Sequence, residues 1–137
     1  MFDLNGFIYS AVAFLAAFLV AGVFTLIFKV VYQWVTPYNE KALIREGNVA
    51  AAIALGGALI GYVLPLASAL AHTVTLVEFT AWATLSGVLQ IVAFTVVRHL
   101  AMKDVSARIE RGEIAAALYL LSISLVVGVL NAACMTA

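Results

Sequence analysis

Charge is scarce in this chain. Only 10% of its 137 residues are charged and 66% are hydrophobic, with a mean hydropathy of +1.14. A soluble domain is typically about 25% charged and about 45–50% apolar, so a water-exposed surface is excluded. One cysteine, Cys134, excludes an intramolecular disulfide, and cysteine usage therefore says nothing of the compartment. Two prolines leave room for long uninterrupted helices. No glycine-rich nucleotide loop and no zinc-ligand spacing occurs, so no cofactor or metal is expected. Seven Lys and Arg balance seven Asp and Glu, and this zero net charge gives no reason to expect nucleic acid as a partner.

What remains is long apolar runs. Four segments, roughly 7–31, 49–71, 75–97 and 114–137, meet the requirement of about 20 apolar residues per membrane span. The acidic, basic and histidine side chains in or next to them are Lys29, His72 and Glu78, each near an end. The first run is read as a retained span. A signal peptide has a basic start and a shorter apolar core of about 7–15 residues, whereas Phe2-Asp3-Leu4-Asn5-Gly6 carries no Lys or Arg. The runs are continuous rather than alternating, which excludes barrel strands. The expected fold is all-α: one polytopic membrane domain, 1–137, with four transmembrane helices in a lipid bilayer.

Lys29, Lys41, Arg45, Arg98, Lys103, Arg108 and Arg111 all fall in, or at the mouth of, the loops after the first and third spans. Short loops rich in Lys and Arg stay in the cytoplasm. Both basic loops are therefore expected inside, and both termini and the turn near His72 outside. On that topology His72 and His99 lie on opposite faces and cannot share a haem or metal. Tyr32 and Trp34 fit the aromatic belt at the interface.

A shift of 65 residues aligns the chain with itself. Residues 44–52 (IREGNVAAA) fall on 109–117 (IERGEIAAA), Gly22 on Gly87 and Thr25 on Gln90. The expectation is two tandem two-helix repeats, about 7–71 and 75–136. Each holds an even number of spans, so both insert in the same orientation. Glu113 stands at the position that matches Asn48.

In the first loop, Thr36-Pro37 suggests an N-cap followed by Pro at the first helical position, and Gly47 suits the left-handed residue that ends a helix. Lys41, Arg45, Gly47 and Asn48 of this loop, with Lys103, Arg108, Arg111 and Gly112 of the second, mark the cytoplasmic features. Each loop forms either a short helix at the interface or an extension of the preceding span.

The runs Thr36-Pro37-Tyr38-Asn39-Glu40, Glu46-Gly47-Asn48 and Gly56-Gly57-Ala58-Leu59-Ile60-Gly61 resemble those of the YjfL-like inner-membrane proteins. So does the ending Gly128-Val129-Leu130-Asn131-Ala132-Ala133-Cys134-Met135-Thr136. The resemblance covers nearly the whole chain. It implies a bacterial inner-membrane protein built from a duplicated domain of unknown function, and it supplies no catalytic residues.

Gly57 and Gly61 in the second span, and Ser124, Gly128 and Ala132 in the fourth, form small-residue stripes that let backbones approach. Packing within the bundle is the simpler reading, and contact between copies is the other. Pro65 is expected to kink the second span and free a carbonyl.

Polar residues within spans are the functional candidates. Glu78, Asn131, Cys134 and His72 could converge on an outward-facing pocket. Glu78 also simply suits a helix N-terminus at the interface. Gln90 and Thr25 are read first as interhelical glue, then as a permeation site. Cys134 is expected to be a buried free thiol.

Three functions follow from these features. The first is a non-enzymatic membrane component that associates with itself or a membrane-protein partner. The alternative is a small transporter or ion channel with a polar path near Glu78, Gln90, Thr25 and Asn131. The third is a redox or lipid-modifying enzyme using Cys134.

Overall fold

The computed structural model describes residues 2–135. Positions 136 and 137, where the fourth apolar run and the second repeat were expected to end, lie outside the described residues. Four long helices account for most of the chain: α1 (Leu4–Val35), α3 (Val49–His72), α4 (Leu76–Val96) and α6 (Ile114–Cys134). All four are long and apolar enough to cross a membrane, and no strand occurs among the described residues. The protein is thus a polytopic, all-α membrane protein. Helices suit these sequences because each closes its backbone hydrogen bonds internally, which hydrocarbon demands.

Two short helices join the spans at one end of the bundle, α2 (Glu40–Arg45) and α5 (Val105–Glu110). Neither continues the span before it. Proline is the reason in the first case. Pro37 biases the preceding residue toward extended backbone, and Thr36 indeed has φ −83° and ψ 127°, ending α1. The N-cap of α2 is then Asn39, whose side chain accepts the Ala42 N–H at 3.1 Å. This corrects the assignment of Thr36 and Pro37 to the helix start. The Thr36 hydroxyl is already committed, donating backward to the Tyr32 carbonyl at 2.7 Å.

In the second case α4 passes into one π-helical stretch, Val97–Ala101, before the turn at 102–104. Both short helices end in the same way. Gly47 (φ +88°) and Gly112 (φ +83°) adopt the left-handed backbone that costs glycine least. In each, the glycine and the next residue donate back across the last turn: Gly47 to Ile44 and Asn48 to Leu43, Gly112 to Ile109 and Glu113 to Arg108.

α3 and α6 form the central pair and run in the same direction, since Gly57 faces Leu121, Gly61 faces Ser124 and Ser68 bonds to Ala132. α4 packs against both, and α1 lies at the periphery. Half of the apolar window of α3 is buried, against 6% of that of α1, whose buried residues are Phe28 and Tyr32. At about 1.5 Å per residue α1 is roughly 48 Å long, well beyond a 30 Å hydrocarbon core.

Pro65 sits inside α3 without ending it. It cannot donate to the Gly61 carbonyl. That carbonyl instead lies against Gly128, where any Cβ would strike it.

Candidate functional site

The buried faces of the helices are mostly alanine, glycine and aromatic rings. Phe28 stacks on Tyr62 at a centroid distance of 4.3 Å, and Tyr32 meets Phe94 edge-on at 4.9 Å. Ser86, Gln90 and Ser124 are buried between the spans, and the charged groups that are buried lie at the loop end. There the last turn of α1, the 36–39 bend, the first residue of α2 and the π-helical turn meet, and they enclose Tyr32, Thr36, Tyr38, Glu40 and Arg98. Glu40 is 2% exposed, Arg98 7% and Tyr32 fully buried.

Arg98 holds this junction. Its guanidinium donates to the Val35 carbonyl at 3.3 Å and to the Thr36 hydroxyl at 3.0 Å. It lies over the Tyr32 ring at 5.4 Å and the Phe94 ring at 5.9 Å, within cation–π range. The bond to Val35 caps one free carbonyl at the end of α1, the negative end of its dipole.

Glu40 is less well served. Neither carboxylate oxygen has a well-formed hydrogen bond, nor do the hydroxyls of Tyr32 and Tyr38 or Nε of Arg98. Burial pushes the Glu40 carboxyl up to about 7, although the Tyr32 hydroxyl and the cations Arg98 and Lys29 pull the other way. Burial, with Glu40 beside it, also drives the Tyr38 hydroxyl well above its ordinary value. Chemically, the cluster offers a carboxyl poised near neutrality, two phenols and one guanidinium. Among the described residues no His, Cys, Asp and Glu group could hold a metal.

None of these five was singled out as a site in the sequence. Tyr32, expected in an aromatic belt, is inside the protein, while its neighbour Trp34 is 79% exposed. Arg98 read as one of seven loop cations. A usable signal was present: Tyr32, Thr36 and Glu40 are four apart, but Pro37 breaks the helix that would have justified the spacing.

The expected site residues are placed as follows. Glu78 is exposed in the first turn of α4, and its backbone N–H is accepted by the Thr75 hydroxyl at 3.1 Å. His72 is exposed and bonds through Nδ1 to the Ser68 carbonyl at 2.8 Å. Cys134 is free and exposed, which corrects the expectation of a buried thiol. Asn131 turns inward instead, donating to the Ser86 carbonyl of α4 at 3.4 Å. Glu78, His72 and Cys134 therefore do not close a pocket with it.

Gln90 is fully buried and donates to the Ser124 carbonyl at 3.5 Å. Its own carbonyl oxygen has no partner. Thr25 donates to Ala21 within α1. Gly57, Gly61, Ser124 and Gly128 sit at the α3–α6 contact, and Ala132 accepts from Ser68 there.

At the loop end Asn48 joins the two short-helix units. Its carbonyl oxygen accepts the Ala51 N–H, and its amide donates to the Ile109 and Glu110 carbonyls at 3.0 and 3.2 Å. Lys41, Arg45, Lys103 and Arg111 are exposed. Arg108 pairs with Asp104 at 2.7 Å and Arg111 with Glu113 at 2.9 Å, in surface ion pairs worth little.

Comparison with known proteins agrees over almost the full length. Residues 2–135 match the family Domain of Unknown Function (DUF350). The chain belongs to the DUF350 family. It is 39% identical over 127 residues to the UPF0719 inner membrane protein YjfL of Escherichia coli (strain K12), covering 93% of this chain and 96% of the relative. The protein of that name from Escherichia coli O157:H7 matches to the same extent. No solved structure matches this DUF350 chain.

Proposed function

We propose that this DUF350 protein is a non-enzymatic, self-associating component of the bacterial inner membrane. Its two basic loops lie in the cytoplasm and its termini on the outer face. The inner-membrane location follows the relatives' names, and the orientation follows the seven loop cations.

One observation carries the self-association. α1 is fixed to the bundle near its loop end, and cavities of about 300 and 580 Å³ flank it. One lies between Phe24–Val31 and α4, the other between Phe18–Leu26 and the outer half of α3. In lipid, helices associate through close packing, and these open apolar grooves beside α1 offer a surface that a helix can pack into in place of lipid chains. A helix from a second copy would fill them. The small-residue stripes of α3 and α6 are already spent on each other.

The alternative, a transporter or channel, draws less from the geometry. Gln90 and Asn131 donate to backbone carbonyls of neighbouring helices, which favours a role as interhelical glue, and Thr25 donates within α1.

The two halves are read as diverged tandem copies in parallel orientation. α2 and α5 begin at Glu40 and Val105, α3 and α6 at Val49 and Ile114, in each case 65 positions apart. The parallel α3–α6 pair would then straddle an axis along the membrane normal.

Crosslinking in native membranes through cysteines placed along α1, in a Cys134→Ser background, tests the assembly. Dimers or higher species are expected. A strictly monomeric protein with no co-purifying partner overturns the proposal. A reporter fused at the C-terminus that is active only inside the cell overturns the orientation.

A further inference from the structure

Glu40 occupies a place where a carboxylate is ordinarily comfortable, the first turn of a helix near water. Here it is 2% exposed, and neither oxygen has a well-formed hydrogen bond, the Tyr32 hydroxyl being the one neighbour placed to stabilise it. Three more polar atoms without a well-formed hydrogen bond surround it: the Tyr32 and Tyr38 hydroxyls and Nε of Arg98. An ionised carboxylate in that state is strongly disfavoured. Binding a proton removes the charge and creates a donor that a phenol oxygen can accept.

The fold does not require a carboxyl there. Val105, the first residue of the other short helix, is also fully buried and is apolar. A buried ionisable group where an aliphatic one serves is a functional candidate. The adjoining π-helical turn, which carries Arg98, is itself a feature frequent at functional sites.

We propose that Glu40, enclosed by Tyr32, Tyr38 and Arg98, is a proton-binding site at the loop end of the bundle. Its carboxyl, raised by burial to about 7, exchanges its proton near neutrality. The groups facing it are Lys29 and Tyr32 from α1, Tyr38 from the bend and Arg98 from the π-helical turn. Glu110 of α5 acts on Tyr38. α3 contributes no titratable side chain before Tyr62, and Lys41 and Arg45 of α2 itself are exposed. The two nearby cations make a proton a better occupant than a metal ion.

Proton loss has a structural consequence. The carboxylate then competes for Arg98, whose guanidinium otherwise ties the end of α1 through Val35 and Thr36. Occupancy of Glu40 is thereby coupled to the anchoring of the peripheral helix.

The test is infrared difference spectroscopy of the full chain in lipid nanodiscs, stepped from about pH 5 to about pH 9. A protonated-carboxyl band that disappears with a midpoint near 7, and is absent from Glu40→Gln, supports the proposal. Glutamine mimics the protonated form, so this variant folds. Lys29→Gln removes a cation that favours the ionised form and should move the midpoint upward. A midpoint below about 5, in the usual carboxylate range, overturns the proposal. So does a band that survives Glu40→Gln. A midpoint that falls when sodium replaces an organic cation makes this a metal-ion site and also overturns it.

Discussion

Substituting Gly128 by alanine should separate the central helices. A Cβ built at Gly128 collides with the Gly61 carbonyl oxygen and stands 3.0 Å from both its carbon and Cα. These are backbone atoms of α3, so no side-chain rotation relieves the contact, and α6 must move. The move also strains the Gln90–Ser124 contact, because the Gln90 amide and the Ser124 carbonyl both abut Gly61. Overpacking a well-filled contact typically costs about 1–3 kcal/mol. Alanine is also a better helix former than glycine, by at most about 1 kcal/mol. Gly56→Ala isolates that second effect, since nothing lies within 4 Å of its Cβ. Reversible unfolding in mixed micelles, followed by circular dichroism, should place Gly128→Ala about 1–3 kcal/mol below Gly56→Ala. Equal stability of the two variants would refute the close α3–α6 approach.

Four further outcomes are expected. Wild type should lose stability as pH rises. Glu40 binds its proton more tightly when folded (about 7) than at its ordinary 4.5. The contribution is therefore complete below 4.5 and lost by about pH 7, amounting to about 3 kcal/mol. Glu40→Gln should lack this slope in pH-dependent melts, and an identical slope would count against the burial of Glu40. Asn48→Ala removes the α3 cap and the tie to α5 and should cost about 1–2 kcal/mol in thermal unfolding. Glu113→Ala, which disrupts only exposed pairs, should change stability by less than about 1 kcal/mol. Gly47→Ala and Gly112→Ala should each cost about 1–2 kcal/mol, because both positions have positive φ and an alanine there is strained.

The spans were legible because hydrocarbon imposes a crude requirement: enough consecutive apolar residues, whatever they touch. Gly47 was legible as a helix end for a similarly local reason, its tolerance of positive φ. Boundaries were less so. α1 and α4 run past their apolar cores, to Val35 and through the π-helical stretch to Ala101, because Tyr32, Thr36 and Arg98 find partners in the bundle end. Asn39 displaced Thr36 as the cap of α2 because the threonine hydroxyl was taken up by Tyr32 and Arg98.

By itself the sequence determined that four helices must lie in lipid, since their composition leaves no other solvent for them. It could not determine which loop charges stay in water. Arg98 and Glu40 look like any other loop ions until the bend at Pro37 brings Glu40 beside Arg98 of the π-helical turn and both are buried. Burial is a property of assembled surfaces, not of one residue and its neighbours in the chain. For that reason the carboxyl with the strongest claim to function came from the tertiary structure alone.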